Sequence, residues 1–162
     1  MNIIVATEHR FWKYKNNYFS NAVSGYSFWQ RYLEVFSNVN IVARVEDITQ
    51  LPASAVQVNG PSVEIYPLPF YLGLSQAIRH LPQLNAKLRK VANMEGAFIL
   101  RVPGAVATLL YRHLRQRKRP FAVEVVGDPL DSLSHKAINK PWSPLLSKVA
   151  ALILIQQTTK SI

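Results

Sequence analysis

Short, continuous apolar runs alternate along this chain with longer segments whose apolar residues recur every three or four positions. Asn2 to Ala6 (NIIVA), Val39 to Arg44 (VNIVAR), Val63 to Tyr66 (VEIY), Ala97 to Val102 (AFILRV), Phe121 to Val126 (FAVEVV) and Ala151 to Ile155 (ALILI) read as strands. Between them, Ala22, Tyr26, Trp29, Leu33 and Phe36 mark one helix. Ile78, Leu81, Leu84, Leu88 and Val91 mark a second, in which Pro82 is expected to cause a kink or a restart. A third helix is expected from about Ala105 to Arg117 and a short one around Pro144 to Ala150. Strands made of unbroken Ile, Val and Leu are covered on both faces, so the β/α order predicts a doubly wound, parallel α/β sheet. At 162 residues the chain is expected to form a single domain, 1–162, and the segment 45–62, with Pro52, Gly60 and Pro61, reads as a loop within it.

Several chemistries are excluded by what is missing. There is no cysteine, hence no disulfide, thiolate nucleophile or thiolate zinc site. His9, His80, His113 and His135 show no ligand spacing, and no metal is expected. Neither G-x-G-x-x-G nor G-x-x-x-x-G-K-[ST] occurs, so dinucleotide and P-loop binding have no support. The longest strongly apolar run, Val149 to Ile155, is too short to span a bilayer, and the first residues resemble no leader, so a cytoplasmic location is expected.

The net charge of +10 is concentrated. Residues 75–119 hold ten Lys and Arg against one acid, Glu95, while the other residues nearly balance. Such a field attracts anionic lipid headgroups, phosphorylated ligands or nucleic acid. The run Arg112 to Arg119 (RHLRQRKR) reads as a solvated helix end or as a surface for peripheral contact with an anionic membrane. No nucleic-acid-binding motif accompanies it, which makes nucleic acid the less favoured partner.

Ligands of doubly wound sheets bind beyond the carboxyl ends of the strands. Four segments qualify: that after Ala6, Arg101 to Gly104, Gly127 to Asp131, and Gln156-Gln157. Residues 8–32 carry nine of the seventeen aromatic residues, and Phe11, Trp12, Tyr14, Tyr18 and Phe19, lacking helical spacing, suggest a mobile loop that stacks on a sugar or lipid acceptor or on a base. Ser24-Gly25 stands at a helix start, where it either receives an anion or simply caps the helix. Arg101 either pairs with a nearby acid or binds an anionic ligand. In Gly127-Asp128-Pro129, Asp128 is a candidate base or hydroxyl contact, and the alternative is a turn. Glu124 lies within a strand and needs a partner if buried; Asp131 reads as a cap.

These segments together resemble the N-terminal Rossmann-like domain of family 4 glycosyltransferases, enzymes of the two-domain GT-B fold. The resemblance rests on Asn2 to Ala6, Ser24-Gly25 entering a helix that leads to Asn40 to Arg44, Ile99 to Gly104, Pro120 to Pro129, and Val149 to Ile155. It implies retaining transfer of a sugar from a nucleotide-sugar donor to a polysaccharide or glycolipid acceptor, with this domain holding the acceptor. It places Gly25 at the turn after the first strand, although the family often has two adjacent glycines there. Gly127 and Asp128 then fall near the cleft, Asp128 at a position often occupied by histidine. Such enzymes bind the donor through basic residues and paired glutamates of a C-terminal domain that these residues do not contain. The resemblance therefore implies a domain incomplete at its C-terminal end, inactive alone, with no cofactor of its own and a donor-binding domain or chain as partner. A non-catalytic basic module for nucleic acid or membrane is the alternative.

Overall fold

The structure, a computed structural model, describes residues 1–21 and 24–126. Seven strands and three helices follow the order β1 (Asn2–Tyr14), β2 (Asn17–Asn21), α1 (Tyr26–Gln30) with a 3₁₀ turn (Arg31–Glu34), β3 (Asn38–Asp47), β4 (Ala55–Gln57), β5 (Val63–Leu68), α2 (Gly73–Val91), β6 (Ala97–Val102), α3 (Ala105–Gln116) and β7 (Ala122–Val125).

Five strands run parallel. β1 pairs with β3 and β6, β3 with β5, and β6 with β7, giving the spatial order β5-β3-β1-β6-β7. Counting only parallel strands in chain order, this is 3-2-1-4-5, the Rossmann-like arrangement whose crevice opens between the first and fourth strands. The alternation of side chains along the strands explains the covering of both faces. Ile4, Ala6, Val42, Leu68, Phe98, Leu100 and Val102 point to α2 and α3, where they meet Leu84, Leu88, Leu110 and Leu114. Ile3, Val5, Val39, Ile41, Ala43, Val63 and Ile65 point the other way, onto Phe11, Trp29 and Val58.

The structure corrects four expectations. Residues 11–19 are not a mobile loop: β1 continues to Tyr14 and returns as β2, with Trp12 opposite Phe19 and Tyr14 opposite Asn17. Aromatic residues suit a pleated, half-buried surface, and strands place them without a helical period. The turn is made by Lys15 and Asn16, with Lys15 at φ 53°. The first helix is shorter than its apolar pattern, because the 3₁₀ turn takes over after Gln30; Leu33 and Phe36 still pack on the same cluster as Trp29. The segment 45–62 is not wholly loop, since β3 runs to Asp47 and β4 adds antiparallel to β2. Pro82 does not restart the helix, since α2 spans Gly73–Val91 with the proline inside it. The elements expected around residues 144–155 lie outside the described residues.

Candidate functional site

The crevice of the sheet is built by an irregularity in β1. Ala6 pairs with Val42 and Arg10 with Arg44, so two more residues lie on β1 than on β3 across that interval. A bulge of this kind re-aims side chains. It falls where β1 parts from β6, whose last pair with it is Ala6 with Leu100, and before β2 takes up the same edge at Trp12. Thr7, Glu8 and His9 thus occupy the gap between the end of β6 and the β1–β2 hairpin. A cleft of about 690 Å³ opens there. Arg101, Pro103 and Val126 form the wall from β6 and β7, Trp12 and Asn21 the hairpin wall, and Arg10, Glu46 and Phe70 the remainder.

Glu8 is committed to the framework. Its Oε1 accepts the Val106 N–H at 2.6 Å, at the start of α3, and its Oε2 lies 2.8 Å from Arg44 Nη2. The same nitrogen donates to the Glu8 carbonyl at 2.8 Å while Nη1 donates to the Tyr71 carbonyl at 3.0 Å, and the guanidinium lies 4.3 Å from the Tyr71 ring centre. Burial, with the Glu8 charge adding to it, pushes the Tyr71 phenol up to about 12. Gly104 permits this arrangement, because a Cβ there would collide with the Glu8 side chain. One of the free amides that make a helix N-terminus an anion site is therefore met by a carboxylate of the protein itself.

Arg101 is 8% exposed. Its Nε lies 3.2 Å from Glu124 Oε2, an ion pair by distance but without hydrogen-bond alignment. Glu124 is shared: Arg31 Nη2 lies 3.1 Å from Oε1 and the Tyr32 hydroxyl donates to Oε2 at 2.9 Å. The Arg101 guanidinium lies 5.1 Å from the Phe28 ring centre and 5.5 Å from that of Trp29, positions that favour a cation. His9 joins the cleft to the core through Nε2, 2.6 Å from Ser24 Oγ. Burial lowers the His9 pKa, and the positive charges of Arg101 and then Arg10 lower it further. The ring is neutral near pH 7, holding one proton, and the serine hydroxyl can donate to Nε2 or accept from it.

The positions singled out in the sequence separate accordingly. Arg101 has the acid partner of the first reading, Glu124, and it also stands on the cleft wall. Ser24 is buried behind His9, its carbonyl accepting the Trp29 indole N–H at 3.1 Å, and it makes no side-chain cap to α1. Gly25 is not among the cleft-lining residues; it packs α1 on β4, where a Cβ would stand 3.0 Å from Val56 Cγ2. Glu124 has the partners its position demanded. Gly127, Asp128 and Asp131 lie outside the described residues, which end at Val126 on the cleft wall. Glu8, His9, Glu46 and Phe70 were not singled out, although the rule that ligands gather after parallel strands pointed at the segment following Ala6. Among the described residues no three His, Asp or Glu side chains are grouped to hold a metal, and no helix is long and apolar enough to cross a membrane.

Comparison with known proteins gives one informative similarity. Protein CapJ of Staphylococcus aureus is 27% identical over 124 residues, which cover 74% of this chain and 30% of CapJ. The chain thus spans about a third of the length of that relative. No protein-family profile matches the chain, and no solved structure matches it.

Proposed function

We propose that this chain is the acceptor-side Rossmann-like domain of a glycosyltransferase of GT-B type. In this reading, a sugar moves from a nucleotide-sugar donor to a polysaccharide or glycolipid acceptor held in the cleft beside β1. The observation that carries the reading is the composition of that cleft. Trp12 and Phe70 offer flat apolar faces, Glu46 and Asn21 offer partners for hydroxyl groups, and Arg10 and Arg101 add donors. A few directed polar groups among aromatic walls suit a saccharide.

The α3 N-terminus, where an anion could otherwise bind, already holds the Glu8 carboxylate on its Val106 amide. In this reading a nucleotide-sugar donor belongs to another domain or chain, which supplies the other half of the active site. Without that half the chain cannot bind the transition state more tightly than the substrates, and it is inactive alone. Gly127 and Asp128 follow Val126 in the chain; in this reading they contribute to the acceptor site, with Asp128 as the candidate base. Ser24 acts on the site through His9, and Gly25 through packing.

Incubated with a panel of nucleotide sugars and acceptors, the chain alone is expected to give no transfer; robust turnover would refute the half-enzyme reading. In equilibrium binding, saccharides are expected to bind and nucleotide sugars not to. The reverse preference would overturn the acceptor-side assignment.

A peripheral contact with the cytoplasmic face of an anionic membrane has separate support. Leu72, Ile78 and Leu81 are 48%, 62% and 44% exposed along the start of α2, next to Arg79 in the basic part of the chain. Apolar side chains beside cations suit a charged bilayer surface. Co-sedimentation with anionic vesicles, lost in neutral vesicles and weakened by Ile78→Ser or Arg79→Glu, checks this; equal recovery with both vesicle types would remove it.

A further inference from the structure

We propose that the cleft recognises an anionic substituent of its saccharide, a carboxylate or a phosphate, through Arg101 of β6 and Arg10 of β1, which line it together. This rests on the saccharide reading above and specifies its substrate class.

The first support is the state of Arg101. The side chain is nine-tenths buried, it lines the cleft, and among the described residues it makes no aligned hydrogen bond. The buried donor left without an aligned partner is its Nε, and an unmet donor in a buried place is costly; the guanidinium has further donors to offer a ligand in the cleft. Its one acidic neighbour, Glu124, is divided between Arg101 and Arg31 and also accepts from Tyr32. Two cations therefore share one carboxylate.

The second support is the charge of the surroundings. Arg10 lines the same cleft and has no carboxylate oxygen within 4 Å among the described residues. The Glu8 carboxylate cannot offset it, being engaged by Arg44 and Val106. The remaining acid of the lining, Glu46, belongs to β3 and pairs in register with Trp12, on the opposite edge of β1 from Arg101. The cleft thus offers two cations, Arg101 and Arg10, and in Glu46 an acceptor for a hydroxyl. A bare anion would use the cations only; an acidic saccharide uses both.

The third support is His9. Its ring lines the cleft together with Arg101 and Arg10, so the three groups face a common space, and after burial the two positive charges lower its pKa further. An anion placed there favours the protonated imidazole.

Calorimetric titration of the 162-residue chain with three probes tests the proposal: a uronate trisaccharide, the same trisaccharide with its carboxylates reduced to hydroxymethyl groups, and inorganic phosphate. The uronate is expected to bind about tenfold or more tighter than its neutral counterpart, and Arg10→Ala or Arg101→Gln to remove that advantage by weakening the uronate much more than the neutral sugar. Phosphate that binds and displaces the uronate identifies a site open to either anion; uronate binding without phosphate binding identifies the carboxylate. Arg10 is exposed, so its variant keeps the test valid if Arg101→Gln does not fold. In parallel, the His9 imidazole pKa, followed by NMR, is expected to rise when the anion saturates the cleft. Equal affinity for acidic and neutral trisaccharides, failure of every anion to bind, or an unmoved His9 overturns the proposal. Phosphate that binds and shifts His9 while neither trisaccharide binds would uphold the anion site and refute the saccharide reading.

Discussion

Glu8 shows how one side chain sets both the shape and the chemistry of the crevice. Its carboxylate ties β1 to β3 through Arg44 and to α3 through Val106. Replacing it with Gln keeps the size but removes the charge that Arg44 and the helix end require. The expected loss is about 2 kcal/mol, read from urea unfolding, because hydrogen bonds to charged partners contribute about 1.5 to 3 kcal/mol each and part of that survives. Gly104→Ala reaches the same contacts from the other side, since its methyl group would displace Glu8. A loss of about 1 to 3 kcal/mol is expected, and combined with Glu8→Gln the two effects should fall short of their sum, as contacts in one network do. Strict additivity would show that Gly104 and Glu8 act independently.

At the level of elements, the turn into β6 and the middle of α2 carry opposite predictions. Gly96 holds φ 142°, and a Cβ there would stand 2.5 Å from the Asn2 carbonyl oxygen at the start of β1. Gly96→Ala is therefore strained in its own backbone and against β1, with an expected cost of about 2 kcal/mol or more; an unchanged urea midpoint would contradict the tight approach of the two strands. Pro82, exposed within α2, offers no N–H to the carbonyl one turn earlier. Pro82→Ala should stabilise the protein, by up to about 3 kcal/mol and less if the helix has already adapted to the ring. A lower Tm for that variant would show that the proline is needed for the packing of α2.

For the whole molecule, three titratable groups, the buried His113 and Tyr71 and the half-buried His9, bound the pH range of stability. His9 and His113 both have pKa values below the ordinary 6.5: His9 through burial and the nearby Arg101 and Arg10, with Ser24 on its Nε2; His113 through burial and the nearby Arg117 and Arg89, with Asn85 on its Nε2. Of the cleft acids, Glu8 is neutralised by Arg44 and Glu46 lies across β1. The unfolded chain binds more protons than the folded one once these imidazoles begin to titrate, so stability is full above about 6.5 and falls as pH drops toward the folded-state values. Tyr71 works at the other limit. Its phenol, raised from 10.0 to about 12, keeps its proton longer in the folded state, so stability declines as pH rises through that interval. A plateau in Tm between these limits is expected, and His9→Gln should soften its acid edge; an acid edge unchanged in that variant would remove His9 from the account.

The amino-acid order by itself determined the doubly wound sheet, because parallel strands buried on both faces require unbroken apolar runs and their connecting helices require the 3.6-residue period. Both signals are local. It also pointed to the strand ends as the place where a cleft would open, and Arg101 was legible there as a charge closing an apolar run. Only the tertiary structure decided the rest. The hairpin of residues 11–19 depends on cross-strand pairing, which leaves no helical period to read. Glu8 and His9 acquired their roles from a bulge in β1, and a bulge is defined against β3, a partner far away in the chain. Whether Arg101 would be a structural ion pair or a cleft group depended on how many cations share Glu124, and Arg31 and Tyr32 reach that carboxylate only through the packing of α1 against the sheet.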